Sequence, residues 1–211
     1  MDDSSQISLF ANFDSANMAR YERVYKNNNT INQLTTSTST LCASNSNIRN
    51  NANSNSEADL IETIATAKPA FVMPKYDVEF NVWTKPDCEG LPGENSNRTW
   101  FYFGVRGGHG KWLKINMMNL NKQGRLFEMG MLPVFKTTPG HEKWSRIYTK
   151  PTWQSLENTF IMSFIHKLPE KRDTTTYFAF CFPFSYEETQ DMLAKYDQKF
   201  TYCKSINPET W

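Results

Sequence analysis

Residues 97–107 read N-R-T-W-F-Y-F-G-V-R-G, and this stretch decides the fold. Five of the six residues from Trp100 to Val105 are apolar, so apolar side chains fall on both faces of an extended segment. A strand with one face in water would alternate apolar and polar residues instead. The stretch therefore predicts a central β-strand covered on both faces, which requires a second layer packed on the sheet. It offers no nucleophile, general base or set of metal ligands, so it indicates a fold and leaves the function open.

Six further segments have the composition of β-strands. Some alternate apolar with polar side chains, which is typical of one buried face, and others are rich in aromatic and β-branched residues, which suit a pleated surface. The segments are residues 76–83, 111–118, 131–135, 144–148, 159–166 and 174–182. Turn-forming residues separate them, and no strand–helix–strand alternation is present. The sequence therefore predicts an all-β fold, an antiparallel β-sandwich of about seven to nine strands.

Two local signals refine the strand prediction. Pro133 has no N–H to donate to a β-ladder, so the strand at residues 131–135 is predicted to lie at a sheet edge. Polar and glycine residues at 119–124 predict a turn that leads into it.

A helix is predicted after the last strand. Ser185 and Glu188 have the spacing of a capping box, in which the side chain of each accepts a hydrogen bond from the backbone N–H of the other. The helix is expected to reach about Phe200. Its apolar stripe would consist of Met192, Leu193 and Tyr196.

Composition divides the chain into four parts. Residues 1–26 carry scattered apolar side chains and are predicted to dock on the later domain. Residues 27–68 are predicted to be a linker or insertion: an Asn/Ser/Thr-rich tract too polar to fold, hence disordered, followed by a short helix at residues 57–67. Residues 69–200 are the predicted sandwich, and residues 201–211 are a tail.

Charge and composition narrow the possible partners. The chain has 23 basic and 22 acidic residues and a formal net charge of +1, so no global field attracts a polyanion and no nucleic-acid partner is expected. No apolar run approaches the length of about 20 residues that spans a membrane, and no signal peptide is visible. The four cysteines form no C-x-x-C pair. These features are typical of a cytosolic protein with reduced thiols.

The three histidines provide a specific test for zinc chemistry. A zinc peptidase uses H-x-x-E or H-E-x-x-H, because these spacings let two side chains reach one ion. Neither pattern occurs at His109, His141 or His166. His166, at the end of a predicted buried strand, is more often a structural residue than a metal ligand. The sequence therefore predicts no metal ligand and no catalytic residue in this chain.

Basic residues near turns and polar strand faces give the one partial functional signal. Together with Trp112 and Trp144, they could form an electropositive surface for an acidic partner. Ordinary solvated charge on a nearly neutral protein is the competing interpretation. The residues are Lys114, Lys122, Arg125, Lys136, Lys143 and Arg146.

Six pieces of the chain, in their order and spacing, carry a resemblance to a known family. They are residues 13–18 (F-D-S-A-N-M), 76–88 (Y-D-V-E-F-N-V-W-T-K-P-D-C), 97–107, 114–134 (K-I-N-M-M-N-L-N-K-Q-G-R-L-F-E-M-G-M-L-P-V), 164–167 (F-I-H-K) and 177–187 (Y-F-A-F-C-F-P-F-S-Y-E). Together they resemble the N-terminal domain of cytosolic carboxypeptidases, especially the subtype that removes glutamate from branch points of polyglutamylated tubulin. The family usually has Gly where this chain has Ala16. The resemblance covers about residues 9–23 and 76–200.

The resemblance implies a β-sandwich ahead of a zinc carboxypeptidase domain. In that family a His/Glu pair and a second His hold Zn²⁺, a Glu activates the bound water, and an Arg binds the substrate carboxylate. None of these residues has a counterpart here, so the zinc motif is expected downstream of Trp211. The 211 residues are then expected to be the N-terminal portion of a longer enzyme, a truncated isoform or an incomplete gene model.

The leading hypothesis is the non-catalytic sandwich domain of a cytosolic tubulin deglutamylase. It would support the catalytic domain and shape access for acidic tails. Its expected partners are its own carboxypeptidase domain and tubulin or other glutamylated proteins, in the cytoplasm and on microtubules. The alternative is a freestanding module that binds acidic tubulin tails without enzyme activity. In either case this chain alone is expected to bind no cofactor. If the catalytic half is missing, one face of the sandwich is expected to be an exposed apolar patch.

Overall fold

Two five-stranded β-sheets arise from this patterning in the computed structural model, which describes residues 6–25, 75–155, 157 and 159–200. All described residues fall within one compact unit. The predicted insertion at residues 27–68, with its helix at 57–67, and the predicted tail at residues 201–211 lie outside the described residues.

The ten described strands are divided equally between the sheets. In the first sheet they lie in the order β1 (Ser8–Phe10), β4 (Tyr102–Arg106), β10 (Thr175–Ala179), β6 (Val134–Thr138) and β7 (His141–Arg146). In the second they lie in the order β2 (Arg20–Val24), β3 (Val78–Trp83), β5 (Trp112–Met117), β9 (Phe160–Lys167) and β8 (Thr152–Ser155). The two described helices are α1 (Gly124–Glu128), which lies between β5 and β6 in the chain, and α2 (Tyr186–Lys199), which follows β10.

The predicted all-β sandwich with a C-terminal helix is confirmed, but it has ten described strands where about seven to nine were predicted, and one pair of strands differs in direction. All neighbouring strands of the described sheets are antiparallel except β3 and β5, which run parallel. The cause is the path of the chain: β4, which lies between them in sequence, belongs to the other sheet. Between β3 and β5 the chain therefore passes from the second sheet to the first and back again. It returns to the second sheet in its original direction.

The core lies between the two sheets. Alternation in β3 buries Val78, Phe80 and Val82, as predicted, and β5 buries Leu113 and Ile115 in the same way. All but one of the largest fully buried side chains in the described residues belong to one cluster, Ile165 being the exception. The two sheets are therefore held together chiefly by apolar burial, the main favourable term in folding.

The stretch at residues 97–107 forms β4, which is covered on both faces as predicted. Phe103 and Val105 belong to the core between the sheets. The outer face is covered differently from our expectation, because side chains and not a further layer shield Tyr102. The rings of Phe13 and Trp144 lie 4.7 and 5.5 Å from the Tyr102 ring. Residues 6–25 thus contribute both strands (β1 and β2) and an aromatic cover, and the sequence patterns had not predicted the two strands.

The prediction of an edge strand at Pro133 is wrong. The strand β6 begins at Val134, so the proline precedes the ladder and costs it no donor. This allows β6 to lie between β10 and β7, inside the sheet. The Pro133 carbonyl accepts a hydrogen bond from the Ile147 N–H at 2.9 Å. The strand predicted at residues 144–148 is shifted as well, since β7 ends at Arg146.

The two helices differ in how they pack. The short helix α1, which was not predicted, buries Phe127 against Trp153 of β8, with ring centroids 5.9 Å apart. The helix α2 begins with the predicted capping box: Ser185 Oγ accepts from the Glu188 N–H, and Glu188 Oε2 accepts from the Ser185 N–H. No residue of α2 is buried. Among the described residues, no helix is long and apolar enough to cross a membrane.

Candidate functional site

The three histidines are not assembled into a metal site. His109 lies in the turn between β4 and β5, whereas His141 begins β7 and shares a 2.8 Å hydrogen bond with Ser145. His166 lies in β9 and is 6% exposed. Across the described ranges, no group of three or more His, Cys, Asp or Glu side chains could hold a metal ion. The described residues therefore do not fit the zinc site that the resemblance implies for the parent enzyme.

His166 instead packs in the aromatic core. Its ring lies 4.2 Å from the ring of Phe135 and 5.1 Å from that of Phe178. Burial, with a smaller contribution from nearby His141, lowers the pKa of His166 to about 4. The imidazole is therefore neutral near pH 7 and acts as a packing group.

The six basic residues predicted to form a surface lie in three separate places. Lys114 in β5 alternates with core residues and points outward from the second sheet, where it forms a 2.7 Å ion pair with Glu79. Lys136 points outward from the first sheet, where its ammonium lies 4.9 Å from the centroid of the Trp144 ring. The two lysines therefore lie on opposite outer faces of the sandwich. Lys122 and Arg125 lie before and within α1, at a third location.

The β6–β7 hairpin (Val134–Thr138 and His141–Arg146) brings three of the six together. Lys143 and Arg146 are exposed on β7, an edge strand, and Lys136 lies on the neighbouring β6. Arg146 is paired in register with Val134, so its side chain shares the outer face with Lys136. A small basic and aromatic face results at this edge.

A polar network on the outer face of the second sheet was missed in the sequence. Glu79 Oε1 accepts hydrogen bonds from Asn116 and Lys114, and its Oε2 accepts from Tyr76. Burial alone raises the pKa of Glu79, but these three hydrogen bonds outweigh it and the pKa is lowered. Burial and the neighbouring carboxylate raise the pKa of Tyr76 to about 12. The sequence signal for this network was the set of polar residues in the alternating strands. Only the register of the strands shows that these side chains meet.

Exposed apolar side chains gather around the start of α2. Phe184 and Tyr196 are 58% and 50% exposed and line a groove of about 380 Å³ together with Met192. Single exposed apolar residues are ordinary, whereas a contiguous group marks an interaction surface. We call Phe184, Met192 and Tyr196, which line the same groove, the C-terminal apolar surface; Phe182 and Tyr186 are exposed near them in sequence.

Comparison with known proteins gives a consistent set of similarities. A family model described as the cytosolic carboxypeptidase N-terminal domain matches residues 53–181. The chain is 48% identical over 147 residues to cytosolic carboxypeptidase-like protein 5 of Mus musculus, and 53% identical over 136 residues to the protein of that name from Danio rerio. These alignments cover 69% and 64% of this chain but only 17% and 15% of the relatives.

A distant structural similarity was also found. A metallo-carboxypeptidase from Burkholderia cenocepacia superposes with a TM-score of 0.46 at 14% identity, over 92% of this chain and 33% of that one. A likeness at this level carries no argument about function.

Proposed function

The chain belongs to the cytosolic carboxypeptidase N-terminal domain family, and from this premise we propose that it is the non-catalytic β-sandwich domain of a zinc carboxypeptidase that removes glutamate from polyglutamylated tubulin. In this proposal the sandwich supports the catalytic domain and shapes the access of acidic tails. Zn²⁺ and the catalytic residues belong to that other domain, and the protein works in the cytoplasm in association with microtubules.

The observation that supports this proposal most directly is the C-terminal apolar surface. An amphipathic helix normally buries its apolar stripe against the body of its protein. In α2, however, Met192 and Tyr196 remain exposed and no residue is buried. A catalytic domain packed over α2 and Phe184 would remove this surface from water.

The test compares the chain alone with the chain in the presence of a catalytic part. We expect the 211-residue chain alone to bind no stoichiometric Zn²⁺ and to release no glutamate from glutamylated tubulin. Co-expressed with the part of the Mus musculus relative that lies outside the matched region, it should form a complex with activity. Replacing Phe184 by serine should weaken this complex about 10-fold or more, because truncating a central aromatic contact commonly costs about 2 kcal/mol.

A matched control is available on the same chain. Leu91, in the loop between β3 and β4, is 64% exposed, so Leu91→Ser removes an equally exposed apolar side chain from elsewhere and should leave the complex intact. Glutamate release by the chain alone, abolished by a chelator, would contradict the proposal. So would a highly soluble, monodisperse chain with no affinity for the catalytic part.

The alternative is a freestanding module that binds acidic tubulin tails. The β6–β7 hairpin favours it, because Lys136 and Arg146 share its outer face, Lys136 lies beside Trp144, and Lys143 is exposed on the same strand as Arg146. Co-sedimentation with glutamylated and unmodified microtubules separates the two functions. A scaffold domain should pellet equally with both, whereas a tail-binding module should prefer the glutamylated ones. In the second case Lys143→Gln with Arg146→Gln should remove the preference.

A further inference from the structure

A cleft of about 770 Å³ opens at one end of the second sheet. The parallel strands β3 and β5 both end there, and β9, antiparallel to β5, begins there. This volume is in the range of small-molecule and side-chain binding sites. The cleft is lined by Trp83, Arg98, Met118, Asn119, Leu120, Asn121, Lys122, Thr159 and Phe160.

Two asparagines hold the floor of the cleft in place. Asn119 accepts from the Thr84 N–H at 2.9 Å and donates to the Thr84 carbonyl at 3.0 Å. Asn121 accepts from the Arg98 N–H through its side chain and donates to the Arg98 carbonyl through its backbone, both at 3.0 Å. The segments after β3 and before β4 are therefore fixed without any ligand. A preformed cleft binds with a smaller loss of entropy than one that must be ordered.

The side chain of Arg98 is left with unused donors. Its Nη1 donates to the Ser96 carbonyl at 2.9 Å, whereas its Nε is buried and has no hydrogen-bond partner in the described part of the chain. A buried donor without an acceptor is rare and costly, which points to an absent acceptor. The Nε–H and Nη2–H of a guanidinium form two parallel donors, and this edge matches the two oxygens of a carboxylate.

The charges around the cleft are positive and unpaired. Lys122 Nζ donates to the neutral Glu157 carbonyl at 2.9 Å, so its charge is not neutralised by this contact. No acidic side chain is among the nine described residues that line the cleft. An anion that enters therefore meets the half-buried guanidinium of Arg98 and the exposed ammonium of Lys122. At the half-buried position, charge interactions are stronger than in bulk water.

The remaining walls suit a carbon skeleton. Trp83, Met118, Leu120 and Phe160 contribute apolar surface. The guanidinium of Arg20 lies 3.7 Å from the centroid of the Trp83 ring and fixes this wall. Arg20 is itself paired with Glu22. The two parallel donors of Arg98, the ammonium of Lys122 and the apolar walls match a carboxylate on a short aliphatic chain. A phosphate has three acceptor oxygens and a higher charge, so it would need more donors.

We propose that this cleft binds a carboxylate-bearing ligand through Arg98 and Lys122, with its carbon chain against Trp83 and Phe160. The carboxylate is carried either by the acidic side chains of a protein segment or by a free aliphatic dicarboxylate. Binding turns the Arg98 side chain so that its Nε–Nη2 edge faces the cleft, and the backbone contacts of Arg98 with Asn121 stay in place. The site does not depend on the proposed role as a scaffold.

The test uses the full 211-residue chain and three probes: a pentaglutamate peptide, glutarate and inorganic phosphate. Titrations followed by calorimetry and by the NMR signal of the Arg98 Nε–H should show saturable binding of at least one carboxylate probe, with a dissociation constant below about 1 mM. The Nε–H signal should shift during the titration. Binding of the peptide at least 10-fold tighter than glutarate assigns a protein segment, and similar affinities assign a free dicarboxylate.

Three variants examine the residues involved. Arg98→Lys keeps the charge but removes the two parallel donors, so it should weaken carboxylate binding about 10-fold. Lys122→Gln should also weaken carboxylate binding. Lys150→Gln removes an exposed charge outside the cleft lining and should leave the affinity within about twofold. The proposal is overturned if no carboxylate binds, if phosphate binds more tightly than both carboxylates, or if Arg98→Lys binds as well as the parent chain. This test needs only the isolated chain, so its failure is distinguishable from failure of the scaffold proposal.

Discussion

Replacing Phe164 by alanine is expected to lower the free energy of unfolding by about 3–5 kcal/mol. Phe164 in β9 is fully buried. Its ring stacks on that of Phe101 at 6.2 Å and contacts that of Phe178 at 5.4 Å. Since Phe178 belongs to the first sheet and Phe164 to the second, the substitution opens a cavity between the sheets. A loss of this size is a large fraction of the stability of a typical domain.

The loss can be measured by urea unfolding followed by tryptophan fluorescence. Phe184→Ala is the matched control, because it removes the same atoms from a side chain that is 58% exposed. We expect the control to change the free energy of unfolding by less than about 0.5 kcal/mol. If the two variants lost similar stability, Phe164 would not have the central position in the core described above.

Acidification between about pH 6.5 and pH 4 is expected to destabilise the chain through His166. Its pKa is lowered from 6.5 to about 4 in the folded state, first by burial and then by His141. The unfolded chain therefore binds more protons in this range, and stability falls as the pH falls. The stabilising contribution is complete above pH 6.5. A shift of this size corresponds to a loss of about 3 kcal/mol.

The variant His166→Phe isolates this contribution, because it keeps a ring among Phe135 and Phe178 but cannot be protonated. Urea midpoints of the parent chain should fall more steeply from pH 7 to pH 4 than those of the variant. Glu79, whose pKa is lowered, contributes stability that is present above its ordinary pKa of 4.5 and is lost below it. Its effect thus appears at lower pH and in both proteins. Parallel profiles of the two proteins between pH 6.5 and pH 4 would contradict the prediction.

Local patterns predicted the strands β3, β4, β5, β9 and β10, because each pattern depends on few neighbouring residues, whereas β1, β2 and β8 were not predicted. Val78, Phe80 and Val82 alternate within one strand, and the capping box at Ser185 and Glu188 spans four residues. The parallel pairing of β3 with β5 depends on which sheet receives β4, and no local pattern contains that information. The helix α1 has five residues, too few to show a helical period.

The candidate sites were less predictable than the fold. Lys114 and Lys136 look alike in sequence, yet the register of the sheets places them on opposite outer faces. Pro133 lies one residue before the start of β6 and not inside the strand, and this reversed the prediction of an edge strand. The unpaired Nε of Arg98 depends on the contacts of one side chain after folding, so composition and spacing could not indicate it.

The position of β10 between β4 and β6 has a consequence for synthesis on the ribosome. The two strands that flank it are made long before it. Until residue 179 has been translated and has left the exit tunnel, β4 can pair only with β1, and β6 only with β7. The first sheet therefore cannot be completed during translation of the preceding part, and one edge of β4 and one edge of β6 stay unpaired. Such late, long-range pairing slows folding and increases the need for chaperones.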